Sequence, residues 1–317
     1  MKTAIALTEF AQDVLAGLIL PQKRLSSKYF YDDHGSAIFR KIMTMPEYYP
    51  TRCEHEILRR QAEPILKQLD FSGKFNVVEL GCGDGSKTID LLRGFIDCNA
   101  QFVYLPVDIS PEAISVLEGN VKKTLPELTM RPVAGDYFKV LDRLARESAP
   151  SLFLFLGGNI GNYSHSEAEN LLVEFQKRMH HGDKILVGMD LKKNPRIIQK
   201  AYDDPHGITK AFNMNLLRRM NVELEMDFHM EKFDFYCCYD PEIGEVNSYL
   251  VSLADQTVFS RILDTSFVFS NGECIWTELS KKYTEREITT LARASGFSVV
   301  ENFHDSKNYF TDSLWVK

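Results

Sequence analysis

No apolar run in this 317-residue sequence approaches the roughly 20 residues needed to span a bilayer. Basic charge is not in excess either: 37 Lys and Arg stand against 44 Asp and Glu, a net charge of -7, which speaks against a general nucleic-acid binder. The six cysteines contain no C-x-x-C pair, and Cys237 and Cys238 are adjacent, a poor geometry for a disulfide. They read as reduced thiols of a cytoplasmic protein without a zinc site. The eight histidines, His180 and His181 included, lack metal-ligand spacing, so no metal is expected. There is no internal repeat, no low-complexity tract and no G-x-x-x-x-G-K-[ST] phosphate loop. The first twenty residues, with Glu9 and Asp13, predict an amphipathic helix rather than a secretory signal. These features lead us to expect a cytoplasmic monomer that acts on a small molecule and has no nucleic-acid or membrane partner.

The sequence does contain a regular alternation. "KFNVVEL" (74–80), "AQFVYLPVDI" (100–109), "MRPVAGDY" (130–137), "PSLFLFLGG" (150–158) and "DKILVGMDL" (183–191) read as strands. Between them, 86–96, 110–125, 137–148 and 164–179 have helical spacing, with Ser110 as N-cap and Pro111 in the first turn. Strands alternating with helices imply right-handed crossovers and a parallel sheet covered on both faces, an α/β Rossmann-like domain. We place it at 53–192. Residues 1–52 look mostly helical. Residues 193–230 look helical and polar, and 229–280 alternate like antiparallel strands, before a last helix that leads to "FSVVENFHD" and "SLWVK". The expectation is therefore a second, α+β domain built from both flanks, 1–52 and 193–317.

The stretch "VVELGCGDGSKT" (77–88) ends an apolar strand in Gly81, Gly83 and Gly85. Open α/β sheets bind ligands at the carboxyl ends of their strands, and bare backbone lets a bulky group approach closely. The spacing E-L-G-x-G-x-G differs from the dinucleotide fingerprint G-x-G-x-x-G. Glu79 precedes the first glycine by two residues, and Asp108 closes the second strand, placed to accept both ribose hydroxyls. Asp136, in "GDYF", is positioned to accept from an adenine amino group, with Tyr137 or Phe138 on the ring. An adenosine without a phosphate chain fits, which points to S-adenosylmethionine (SAM), with S-adenosylhomocysteine as product. An NAD-type dinucleotide is the next alternative.

Longer blocks sharpen this. "KYFYDDHGSAIFRKIMTMPEYYPTR" (28–52), "LGGNIGNY" (156–163), "AYDDPHGITKAFNMNLLRRMN" (201–221) and "WTELSKKY" (276–283) resemble the histidine-specific Nα-methyltransferases that make hercynine for ergothioneine biosynthesis. The resemblance runs along nearly the whole chain, in the same order and spacing. It implies that Tyr48 and Asn162 hold the amino group and carboxylate of the substrate and, with Tyr31, form the catalytic set. It further implies that Tyr202 binds the carboxylate, that the Gly157 backbone faces the amine, and that Tyr31 and Phe39 line the imidazole side. Glu278 and Ser280 would hydrogen-bond the ring, with Thr209 also among the substrate-binding residues. SAM would lie on Glu79, Gly81, Gly83, Lys87, Asp108, Asp136 and Tyr137, with Lys87 as partner of its carboxylate. One position departs: Ser248 stands where the family commonly has methionine, and a smaller polar residue there enlarges or rehydrates the side-chain pocket.

The residue types suit that chemistry. Neutral donors such as Asn162 and Tyr202 hold a carboxylate without adding positive charge beside a sulfonium. An ammonium near that charge, partly desolvated, loses its proton more readily, so a strong base is not required. Orientation then carries most of the rate. Three successive transfers build a quaternary cation, for which aromatic faces are suited. The expected activity is SAM-dependent Nα-trimethylation of L-histidine to hercynine. The alternatives are the same chemistry on another amino acid or histidine derivative, suggested by Ser248, and a non-catalytic SAM-binding module.

Overall fold

A computed structural model describes residues 7–144 and 147–317. The chain opens with α1 (Glu9–Leu18) and α2 (Asp33–Thr44). α1 is the expected N-terminal amphipathic helix, although residues 1–6 of that stretch lie outside the described residues. Then follow α3 (Tyr49–Arg60), α4 (Ala62–Leu69), β1 (Phe75–Leu80), α5 (Thr88–Asp97), β2 (Phe102–Asp108), α6 (Pro111–Thr124), β3 (Val133–Ala134), α7 (Tyr137–Leu144), β4 (Ser151–Phe155), α8 (His165–Arg178) and β5 (Lys184–Asp190). The helix expected over 137–148 is α7; residues 145 and 146 lie outside the described residues. Next come α9 (Pro195–Tyr202), α10 (Ile208–Glu223), β6 (Phe233–Asp240), β7 (Glu245–Ser252), β8 (Gln256–Ser260), β9 (Thr265–Phe269) and β10 (Cys274–Lys281). The chain ends with α11 (Glu285–Ala294), β11 (Ser298–His304) and β12 (Phe310–Val316).

Two compact units result, Tyr49–Lys192 with Lys281–Lys317, and Met1–Tyr48 with Lys193–Ser280. The first holds a seven-stranded sheet in the order β11-β12-β5-β4-β1-β2-β3. β1, β2, β3, β4 and β5 are parallel, whereas β12 runs antiparallel to both β5 and β11. β1, β4 and β5 are buried along their whole length, as Val-, Leu- and Phe-rich strands covered on both faces should be. Capping fixes where the crossover helices start: Ser110 Oγ accepts from Ala113 N before Pro111, and Ser164 with Glu167 forms a capping box on α8.

Here the structure corrects the expected boundaries. Residues 281–317 do not join the flank domain; β12 pairs with β5 from Phe310↔Asp190 to Val316↔Lys184, so the tail completes the large sheet. The physical reason is the edge of β5, whose apolar faces and open backbone need a partner. At the other end the division falls after Tyr48, and Tyr49–Arg60 belongs to the sheet unit as α3.

The flank unit has its own core of Phe10, Val14, Phe30, Ile38, Phe212, Leu216, Leu250 and Ile275, among others. It contains the antiparallel sheet β10-β7-β6 and the hairpin β8-β9. Alternation is clean in β7, with Val246, Ser248, Leu250 and Ser252 buried on one face. β6 is an edge strand, and Gln199 of α9 closes part of it: its Nε2 donates to Cys237 O at 2.8 Å, and its Oε1 accepts from Tyr239 N at 3.0 Å.

Candidate active site

In the sheet unit the expected cofactor residues meet at the carboxyl ends of β1, β2 and β3. Gly81 N donates to Val107 O at 2.8 Å, turning the chain sharply off the strand. Gly81 has φ +75°, and a Cβ there would stand 2.7 Å from the Tyr137 hydroxyl, so only glycine fits beneath that ring. Gly83 N donates to Asp108 Oδ2 at 3.2 Å, and Ser110 N to Asp108 Oδ1 at 2.9 Å. Asp108 thus braces both the glycine loop and the start of α6, and each of its oxygens retains acceptor capacity. Asp136 is exposed at the head of α7, where Oδ1 accepts from Phe138 N at 2.9 Å and Lys139 N at 3.3 Å.

Glu79 has a different place from the one expected of a cofactor contact. It is buried under the loop, and its two oxygens accept from the Thr88 and Tyr104 hydroxyls. Burial pushes its pKa up to about 7, against the pull of those two donors and of Lys87. Glu79 therefore ties β1, β2 and α5 together behind the loop.

Lys87 is held rather than free. Its ammonium pairs with Glu54 Oε2 from α3, while Glu54 Oε1 accepts from Gly157 N at 2.6 Å. Burial lowers the Lys87 pKa, but the Glu54 carboxylate outweighs it and holds the group above the ordinary lysine value. This single carboxylate therefore links α3, the turn after β4 and the residue that opens α5. Nothing in the sequence around Glu54 points to that role. Asn162 closes the short turn Asn159–Asn162, which follows Gly157 and Gly158 at φ +82° and +70°.

The other expected substrate residues lie in the flank unit. The rings of Tyr31 and Phe39 are 5.4 Å apart, Phe39 and Tyr48 6.4 Å, and Tyr48 and Tyr202 6.0 Å, a continuous aromatic wall. Phe212 of α10 backs it, 5.6 Å from both Tyr31 and Phe39. Its place in "KAFNMN" gave no signal beyond helical spacing. The Tyr202 and Ser280 hydroxyls are 3.0 Å apart. Glu278 lies two residues before Ser280 on β10, near enough to Tyr31 that it, after the enclosing protein and ahead of Tyr48, pushes the Tyr31 phenol up. Tyr31 still keeps an open face, 46 % exposed. Thr209 is buried at the start of α10, its N–H donating to Asp204 Oδ1 at 2.7 Å, within a loop-closing cap. Ser248 is buried in β7, its carbonyl accepting from Thr277 Oγ1 at 3.1 Å.

A seven-stranded sheet with one antiparallel strand next to the edge, a glycine loop after β1 and an acid ending β2 defines a methyltransferase of the SAM-dependent class. More closely, the chain belongs to the family of SAM-dependent, histidine-specific methyltransferases, whose model matches residues 10–317. It is 32% identical over 306 residues to the histidine N-alpha-methyltransferase of Mycobacterium tuberculosis, covering 96% of this chain and 94% of that protein. It is 26% identical over 323 residues to the L-tryptophan methyltransferase trpM of Psilocybe serbica, covering 93% and 89%. Among solved structures, a SAM-dependent methyltransferase from Clostridium acetobutylicum matches with a TM-score of 0.43 at 12% identity, covering 80% of this chain and 89% of that one.

Proposed function

We propose that this protein methylates the α-amino nitrogen of L-histidine three times, giving hercynine, and that it works as a cytoplasmic monomer. The observation that carries the reading is the combination on one unit of an aromatic wall, Tyr31, Phe39, Tyr48 and Tyr202, with the polar set Glu278, Ser280 and the Tyr202 hydroxyl. A tryptophan-type substrate gives the half-buried Glu278 carboxylate little to bind beyond one indole N–H. An imidazole has two nitrogens, for which a carboxylate acceptor and a hydroxyl that donates or accepts are suited partners.

SAM, when bound, supplies an electrophilic methyl group. The residues present fit it: the glycine loop leaves backbone uncovered, Asp108 keeps acceptor capacity for a ribose, and Tyr137 stands over Gly81. Lys87, 22% exposed in its side chain, balances a carboxylate. On the substrate side, Tyr48 and Asn162 hold the amino group and carboxylate, with Tyr202 as a further neutral donor to the carboxylate. The Tyr31 phenol, its pKa raised, stays protonated and serves as a donor. Strong base catalysis is not required; orientation carries most of the rate, and the aromatic faces accommodate the growing quaternary cation.

The test is mass spectrometry of the purified protein with SAM and an equimolar mixture of the common L-amino acids. Three added methyl groups on histidine alone are expected. Methylation of a different amino acid refutes the substrate assignment and moves attention to Ser248, Glu278 and Ser280. No product from any of them refutes the activity.

A further inference from the structure

Beside Gly188 and the turn after β4 sits a buried group that the proposed reaction does not use. Asp312 of β12 is 0% exposed, and neither carboxyl oxygen has a hydrogen-bond partner among the described residues. Its strand neighbours are Gly188 on β5 and Phe303 on β11, neither of which brings charge. Gly188 makes the space: a Cβ there would collide with Glu54 Oε1 and stand 3.3 Å from Asp312 Oδ1 and from Gly157 N. Two carboxyl groups therefore share the volume above one glycine, Glu54 reaching in from α3 and Asp312 from the sheet. Lys87, ahead of α5, pairs with Glu54 and is the member of the cluster with access to solvent.

We propose that Asp312 keeps its proton in the space it shares with Glu54 and that, acting through Glu54 and Lys87, it makes the site favour the positively charged cofactor over its neutral demethylated product. The inference rests on the SAM reading above. SAM carries a sulfonium in addition to its amino and carboxylate groups, a net charge of one positive; S-adenosylhomocysteine, having given up the methyl cation, carries none. Burial, with the Glu54 charge behind it and Lys87 opposing, holds the Asp312 pKa well above the ordinary aspartic acid value. The resting cluster is thus an ion pair plus a neutral acid. A cation placed beyond Lys87 favours loss of that proton to solvent, and its conversion to a neutral product draws a proton back. By linkage, a deprotonated cluster binds SAM better than the product, so the preference rises with pH.

The charged groups facing the cluster leave this sign unchanged. Glu79 of β1 faces Lys87 and disfavours a second negative charge. Asp190, further along β5, is neutralised by Lys282 at 2.9 Å and bonded by the Tyr49 hydroxyl. His55 of α3 is paired with Asp90 of α5 at 3.0 Å. Asp312 is therefore a positioning residue: it touches neither ligand and acts through Glu54 and Lys87.

The experiment is calorimetric titration of the full chain with SAM and, separately, with S-adenosylhomocysteine, in two buffers of different ionisation enthalpy, between pH 6.5 and 8.5. The sulfonium lowers the α-amino pKa of SAM below that of the product, and Glu79 titrates at about 7, so the quantity compared is the difference between wild type and variant, in which both contributions cancel. Relative to product binding, the wild type should release more protons on binding SAM than Asp312→Asn does. Its SAM-over-product affinity ratio should rise about three- to tenfold more across that range than the variant's, the size of a pKa displacement of half to one pH unit. Both ligands should still bind Asp312→Asn; Asp312→Ser serves as the second variant, each checked by thermal melting. Proton counts and affinity ratios that are the same in the wild type and in both variants overturn the inference and leave the SAM reading standing. Failure of the wild type to bind either ligand overturns the SAM reading and the inference with it.

Discussion

Replacing Glu79 by Gln tests whether this carboxyl braces the loop or contacts the cofactor. Its pKa stands at about 7 against an ordinary value of 4.5. At about 1.36 kcal/mol per pH unit, that displacement corresponds to roughly 3 kcal/mol. The raised value means that the folded protein favours the protonated acid. The contribution to stability is full below pH 4.5 and is lost as pH rises through 7, where a carboxylate must be held in the interior. Glutamine is uncharged throughout and keeps partners for the Thr88 and Tyr104 hydroxyls. The Gln variant should therefore gain on the wild type by about 2.5 kcal/mol between pH 5 and pH 8.5, most of it below pH 8. The protein contains two tryptophans, and Trp315 is fully buried in the sheet unit. In a Trp276→Phe background, urea unfolding followed by Trp315 fluorescence reports on the unit that holds Glu79. A stability gap that stays constant with pH refutes the reasoning. So does a loss of SAM affinity beyond about tenfold, because a residue that only braces the loop should change it by no more than about threefold.

Other perturbations reach further parts of the molecule. Lys282 is 0% exposed and pairs with Asp190, so Lys282→Met should cost about 3–5 kcal/mol by leaving a buried carboxylate unpaired; a loss under about 1 kcal/mol in urea unfolding contradicts that. Gly81→Ala places a Cβ 2.7 Å from the Tyr137 hydroxyl at φ +75° and should weaken SAM binding by about tenfold or more; pairing it with Tyr137→Phe should recover part of the loss, and no recovery would put the strain in the backbone alone. Glu278→Ala should lower the ratio of kcat/KM for histidine over an apolar amino acid by about a hundredfold, since a site built to pair polar groups discriminates through them; an unchanged ratio removes Glu278 from the imidazole site.

What could be read in the sequence is what depends on neighbours along the chain. β1, β4 and β5 declared themselves as continuous apolar runs, α6 by Ser110 and Pro111 at its start, and the loop by glycines directly after a strand. The aromatic wall was half legible: Tyr31, Phe39, Tyr48 and Tyr202 came through the resemblance, but Phe212 behind them looked like any apolar helical position. In the tail the helix α11 was legible, but the strand β12 that joins the large sheet was not. "FTDSLWV" carries Thr, Asp and Ser in succession, a pattern that suits an exposed edge, yet six of its seven residues are buried. Periodicity identifies a strand with one wet face; it fails for one inserted between β5 and β11 and covered on both sides. The same insertion brings Asp312 over Gly188, opposite a glutamate more than 250 positions earlier in the chain. Neither residue is unusual where it stands. Their chemistry comes from a glycine on a third element, β5, that leaves room for both, and a pair of that kind is created by the packing of a helix on the ordered sheet, which no local stretch encodes.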